Sequence, residues 1–491
     1  MAEEAARPAA APRAEREAAA PIAAHAATPA AHAGAATPAA HAGATTPAAH
    51  AGAGMPTAHA IAPTSGTGAA VARTSGIGTG GAAAPSRRVV IVVLGIGQVL
   101  VWGSSYYLPA VLAKPIADAT GWPLSWVIGG LSLGLLVSGL VSPKVGDLIE
   151  QYGGRPVLMG SAALLAAGLL TLAIAPNLVV FTLGWLVIGV AMGAGLYDPA
   201  FATIGRLYGK GARAIITSLT LIGGFSSTVC WPLSALLLEH LGWRGACLAY
   251  AVVNLCVVLP LYRLGLPAEL RHAAGQAPPP PDPATGAATP PPRGRLHHVV
   301  FALLALGMTL SSVIAAVMSV QLLTVLEQRG VPLATAVALG AIIGPCQVGA
   351  RLIDLLAGQR THPVWEGLLS AVFVTLGLGL LLTRQDAVVA ALVVYGGGIG
   401  LRSIVRGTLP LALFGPVGYP SLIGRLAFPM LVGQAAGPSA AAVLLVRFGG
   451  HGVLVALLWM AVATLVFSAM LVPFAHPRTV RLVRSAGGGP G

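Results

Sequence analysis

Four charged residues stand within or near the ends of segments otherwise apolar enough to lie in a membrane: Asp198, Arg402, Arg406 and Arg425. A charge at the centre of a bilayer costs about 2.5 kcal/mol or more, and less towards the interface. The chemistry open to such groups is recognition of charge. A guanidinium forks onto a carboxylate, and a carboxylate pairs with a base or takes up a proton. Arg402 and Arg406 are four apart and share one helix face. Asp198 precedes Pro199, so it is equally placed to cap local backbone, with Arg406 then lying at the membrane interface. A second set is uncharged. Gln98, Trp102 and Ser105 follow the spacing i, i+4, i+7 and share a face near the middle of a long apolar run. Such a face either lines a polar cavity or joins two helices by hydrogen bonds.

Covalent chemistry is not encoded by any familiar motif. The chain has no Walker loop, no H-E-x-x-H and no G-x-S-x-G elbow. The glycine run from Gly396 to Gly400 lies inside an apolar span, where it permits close helix packing instead of cradling phosphate. No catalytic residue, metal site or cofactor is expected, and the chain is not read as an enzyme. Lacking a nucleotide site, a transporter built on it would draw on an ion gradient, of protons or another ion, or work by facilitated diffusion. Cys230, Cys247, Cys256 and Cys346 fall in or beside spans without a C-x-x-C, and read as small apolar residues.

The elements that must position these groups are membrane helices. Charged residues make up 9% of the chain, against about 25% in soluble domains, and the mean hydropathy is +0.81. A soluble fold of this size could not cover its surface with so few charges. The net charge of +13 does not point to nucleic acid, because the bases sit between apolar segments with no aromatic-interleaved basic face. Residues 1–84, rich in Ala, Pro, Gly and Thr, repeat a nonapeptide that sets His32, His41, His50 and His59 nine apart. Proline at every repeat and the lack of large apolar side chains predict disorder there. The histidines suit a transition metal or are by-products of repeat expansion. Twelve apolar runs of about 20 residues follow, the first from Val89 to about Leu112, and this is the length that crosses a bilayer. They fall into two sixes, 85–263 and 297–476, separated by a Pro-rich connector over 264–296 and followed by a tail over 477–491. Bases such as Lys144, Arg155, Arg206, Lys210 and Arg213 gather on one side, which predicts that both termini are cytoplasmic.

The turn between the second and third runs reads G-D-L-I-E-Q-Y-G-G-R-P-V from Gly146 to Val157. It resembles the loop after the second helix of the major facilitator superfamily, bacterial type. Gly146, Glu150 (usually Asp), Gly153 and Arg155 stand at the pattern's Gly, acid, second Gly and terminal base. Gln151 and Gly154 replace bases the family often has. The Gly-Pro motif common in exporters of the family is absent from the fifth run, where Trp231 precedes Pro232. Three weak echoes relate the halves: Glu150 with Arg155 to Asp354 with Arg360, Tyr208-Gly209 to Phe414-Gly415, and Trp231-Pro232 to Gly437-Pro438.

The resemblance implies an all-α membrane fold of two six-helix pseudo-repeats that rock about a central cavity, whose expected lining here is Gln98, Trp102, Ser105, Asp198, Arg402 and Arg406. The expected ligand is a small organic anion, with a proton or other coupling ion; the protein acts as a monomer in the bacterial inner membrane. Equivalent helices of the two halves face each other in the family, which sets Asp198 opposite Arg402 and Arg406. Gly146, Glu150, Gly153 and Arg155 form a conformational latch, Glu150 pairing with Arg155 or with neighbouring helix ends; the plainer role of that turn is topogenic charge. Two other readings stay open: export of lipophilic or cationic compounds, and a non-transporting sensor or scaffold. Convergence of buried charge inside the spans favours transport over a scaffold.

Overall fold

The computed structural model describes residues 86–268, 294–357, 361–384 and 386–475. The tail over 1–84, most of the 264–296 connector, Arg360 and the segment 477–491 lie outside the described residues. Among the described residues every regular element is a helix. Nine segments are long and apolar enough to cross a membrane. One of them, Leu178–Gly265, holds three spans, and another, Tyr419–Met470, holds two, which makes twelve. In hydrocarbon a helix satisfies its own backbone, so apolar runs of this length have no competing structure.

The turns are short and chemically specified. Ser86 and Asn177 cap the first and fourth spans, accepting from the amides of Val89 and Val180 at 3.4 and 3.0 Å. Spans 5 and 6 meet at Gly242 (φ 67°, ψ 176°), and spans 11 and 12 meet at Gly449 (φ 67°, ψ −176°). Only glycine adopts that backbone without strain. The two positions are equivalent in the halves, as are Tyr208 and Phe414, which end spans 4 and 10. Pro232 and Pro438 both lie inside helices, in spans 5 and 11.

Two expectations need correction. The first span does not stop near Leu112 but continues to Thr120 through a break at Ser105–Tyr107, where Pro109 opens the second helical piece Leu108–Thr120. The stretch from Gly146 to Val157 is not an open hairpin. Span 2 stays helical to Tyr152 and span 3 begins at Gly154, leaving Gly153 (φ 83°) as the whole turn. Polar residues such as Asp147 and Glu150 therefore ride on helix ends, where intrahelical bonds cost nothing extra to keep.

The halves touch at the end of the bundle that carries the connector. Gly146 of span 2 packs on Pro420 and Gly424 of span 11: a Cβ on Gly146 would sit 2.5 Å from the Pro420 carbonyl oxygen, and one on Gly424 would sit 2.4 Å from that of Ser142. At the same end Arg213 of span 5 donates to Glu366 and to the Thr361 carbonyl, and Thr217 lies 3.5 Å from Asp354 of span 8. The seam is closed there. A cavity of about 10 Å³, lined by Ser142, Gly146, Asp198 and Gly424 among others, lies inside it.

Candidate solute site between the two halves

Span 4 is broken, and the break creates the site. Pro199 has no amide hydrogen, so the Gly195 carbonyl four residues earlier loses its helical donor. The helix duly ends at Gly195 and restarts at Tyr197, with Leu196 extended between them (φ −78°, ψ −159°). Gln98 of span 1 supplies the missing donor: its Nε2 donates to the Gly195 carbonyl at 2.7 Å, with Leu196 at 3.4 Å. Its Oε1 accepts from Trp102 Nε1 at 3.0 Å, and the Gln98 side chain is fully buried. Restarting the helix puts Asp198 in a first turn, where the macrodipole favours a carboxylate.

Asp198 then meets Arg406 of span 10. Arg406 Nε and Nη2 donate to the two carboxylate oxygens at 2.7 and 2.5 Å, with 14% of the arginine side chain and 10% of the aspartate side chain exposed. This is a forked ion pair across the two halves. Arg402, one turn away, lines a cavity with Arg406 but has no carboxylate partner among the described residues. Its Nη1 lies 3.4 Å from Ser312 Oγ, and its Nε is buried with no partner among the described residues. Arg402 and Arg406 both line a cavity of about 50 Å³ within the second half, which Ser311, Ser370 and Thr464 make partly polar. That volume holds more than one water.

On the first-half side the wall is aromatic. The Trp102 ring lies 5.1 Å from Tyr106 and 5.0 Å from Tyr197, and these three residues border a cavity of about 10 Å³ together with Asp198, Arg406 and Gln434. Gln434 Nε2 reaches the Tyr106 hydroxyl at 3.5 Å, a long polar contact between the halves at mid-depth.

The residues singled out in the sequence divide. Asp198, Arg402, Arg406 and Trp102 converge on this region. Gln98 and Ser105 do not line it: Gln98 completes the span 4 backbone, and Ser105 donates to the Val101 carbonyl at 2.6 Å beside the span 1 break. Arg406 takes Asp198, leaving Arg402 without that acid. Arg425, which also looked intramembrane, is exposed. In the latch region Gly146 forms the seam contact and Gly153 the turn. It is Arg206 of span 4, not Arg155, that donates to the Glu150 carbonyl, and Arg155 makes no hydrogen bond or ion pair among the described residues.

Sequence reasoning missed Arg351 and Glu366. Arg351 of span 8 donates to Ser403 Oγ at 2.8 Å, the Thr220 carbonyl at 3.0 Å and Gln347 Oε1 at 3.2 Å, so it clamps spans 5, 8 and 10 together. Its signal was present, an arginine within an apolar run, but it lay near a span end where bases are commonplace.

The sequence profile described as Major Facilitator Superfamily matches residues 94–404. Human Monocarboxylate transporter 11 is 30% identical over 316 residues, covering 62% of this chain and 64% of that protein. Rat Monocarboxylate transporter 3 is 27% identical over 332 residues, covering 62% and 63%. The match thus spans somewhat less than two thirds of these relatives' length, and both are mammalian, which lends nothing to the expectation of a bacterial type. Among solved structures, the human organic anion transporter MFSD10 (TETRAN) superposes with a TM-score of 0.61 at 17% identity, covering 78% of this chain and all of that one. The proton:xylose symporter XylE superposes with a TM-score of 0.63 at 12% identity, covering 82% and 99%. At such identities the likeness is one of fold. The profile match covers more than half of the residues, and the chain belongs to the Major Facilitator Superfamily.

Proposed function

We propose that this protein is a secondary active transporter that moves a small organic anion by alternating access, coupled to a proton or other ion gradient. The observation that carries the reading is Arg402. It is a guanidinium inside a span, beside a cavity, with a buried Nε that has no partner among the described residues, while its neighbour Arg406 is neutralised by Asp198. An unpaired buried cation is costly, and a carboxylate ligand removes that cost by a forked hydrogen bond. Relatives named as monocarboxylate transporters and a fold neighbour named for organic anions are in keeping with it. Export of a cation is disfavoured, because Asp198, the acid beside the cavity, already holds Arg406.

In this reading the bundles 85–263 and 297–476, joined by the 264–296 connector, rock about the central cavity. The protein works as a monomer in a bacterial inner membrane with both termini and the connector on the cytoplasmic side. The present conformation is then closed towards the cytoplasm, and the Gly146–Gly424 contact with the Asp198–Arg406 pair holds it so. Substitution tests the anchor. Arg402→Gln removes saturable anion uptake into proteoliposomes, and Arg402→Lys keeps the charge without the fork and retains part of it. Normal uptake by Arg402→Gln contradicts the reading.

A further inference from the structure

Aromatic residues are only 5% of this chain, yet Trp102, Tyr106, Tyr107, Tyr197 and Trp231 form one connected set of rings with centroids 5.0 to 6.4 Å apart. They differ from the packing aromatics of the fold. Trp185, Tyr250, Tyr262 and Phe181 are fully buried, as is Phe201, whose ring stacks on Tyr197 at 5.4 Å, whereas Trp102, Tyr106 and Tyr197 keep partial exposure and border a cavity. The orientation of the central ring is fixed in advance. Trp102 is held by its Nε1 hydrogen bond to Gln98 and flanked by a tyrosine on either side. Arg406 of the second half borders the same cavity as these rings, and Arg402, one turn away, lines the adjoining cavity that shares Arg406. Rings and guanidinium groups therefore meet where the two cavities adjoin.

We propose that the transported anion is an aromatic monocarboxylate, its ring laid against Trp102, Tyr106 and Tyr197 and its carboxylate on Arg402. This rests on the anion reading above and narrows it. A short aliphatic acid needs the guanidinium but gains nothing from three oriented rings. A planar ring gains offset or edge contacts that are directional as well as apolar, and each is worth about 0.5–1.5 kcal/mol beyond its buried area. The cavity of about 10 Å³ is too small for a ring in the closed conformation, so the ligand enters where the halves part. The contact between Tyr106 and Gln434, at 3.5 Å, is the weak point of the seam on that side.

The test uses the full chain in proteoliposomes, with labelled benzoate as the probe and unlabelled competitors. Benzoate itself competes at a concentration about tenfold lower than lactate or cyclohexanecarboxylate, the latter matching its charge and approximate size without the planar ring. Benzamide, planar but neutral, does not compete. Trp102→Leu lowers the ratio of kcat/KM for benzoate to that for lactate about fivefold or more. Tyr197→Leu does the same and serves where the Trp102 variant fails to fold. Equal competition by cyclohexanecarboxylate, or an unchanged ratio in the folded variants, overturns the aromatic assignment while leaving anion transport standing. Uptake of no carboxylate at all overturns both.

Discussion

The forked pair between Asp198 and Arg406 gives the sharpest perturbation. Both side chains are at least 86% buried, and the two contacts, at 2.7 and 2.5 Å, join span 4 of one half to span 10 of the other. Removing one partner from such a pair strands a buried charge at a cost of about 3–5 kcal/mol. If 3 kcal/mol of that falls on the closed conformation alone, the balance between conformations shifts by about 160-fold. Asp198→Arg and Arg406→Asp are therefore each expected to slow uptake about tenfold or more, and the double exchange to recover most of the loss. The assay is initial uptake in proteoliposomes, normalised to monodisperse protein. Pairing Asp198→Arg with Arg402→Asp supplies the control, since Arg402 does not reach Asp198 here and should give no rescue. Wild-type rates in the single variants, or equal rescue by the Arg402 exchange, refute the reasoning.

Other expectations follow from contacts of the same kind. Gln98→Leu leaves the Gly195 carbonyl unbonded, a loss of about 1–3 kcal/mol that lowers the melting temperature; Pro199→Ala returns the missing amide, so the double variant melts higher than Gln98→Leu alone, and failure to do so contradicts the account of the break. Gly424→Val has no room against the Ser142 carbonyl, so it wedges spans 2 and 11 apart, and a Ser142→Cys reporter then reacts with maleimide several-fold faster than in the parent; unchanged labelling removes the seam from the argument. His362, just before span 9, accepts from the Val364 amide, and burial, followed by the charge of Arg213, holds its pKa below the ordinary 6.5. The folded state thus binds fewer protons than the unfolded chain in the window below 6.5, and stability falls as pH drops through that window. His362→Asn keeps a capping acceptor and should flatten that acid-side slope of melting temperature; an identical slope assigns it to another group.

The spans were legible because a membrane leaves a 20-residue apolar run little else to be, and apart from the first, which runs on to Thr120, their bounds lie within a few residues of the hydropathy pattern. The Asp198–Arg406 pairing was half legible. Charge in an apolar run demands a partner, and the repeat register put the right helices opposite, but it did not choose between two arginines one turn apart. That choice depends on the break in span 4, which turns Asp198 towards the second half. The break itself was written in the sequence as Pro199 four residues after Gly195. The role of Gln98 was not, because a glutamine that repairs another helix looks like one that lines a cavity. Arg351 and Glu366 escaped notice because a charge near a span end has an ordinary explanation in topology. Only three-dimensional contact shows that these two tie spans of opposite halves together.

Gradient-driven uptake by the purified protein tests the central claim most directly. Proteoliposomes loaded at one pH and diluted into another are offered labelled benzoate, lactate and tetraphenylphosphonium in separate assays. The account predicts saturable carboxylate accumulation that depends on the imposed gradient and disappears in Arg402→Gln, with no protein-dependent movement of the cation. Accumulation of the cation, or carboxylate uptake indifferent to Arg402, would contradict it.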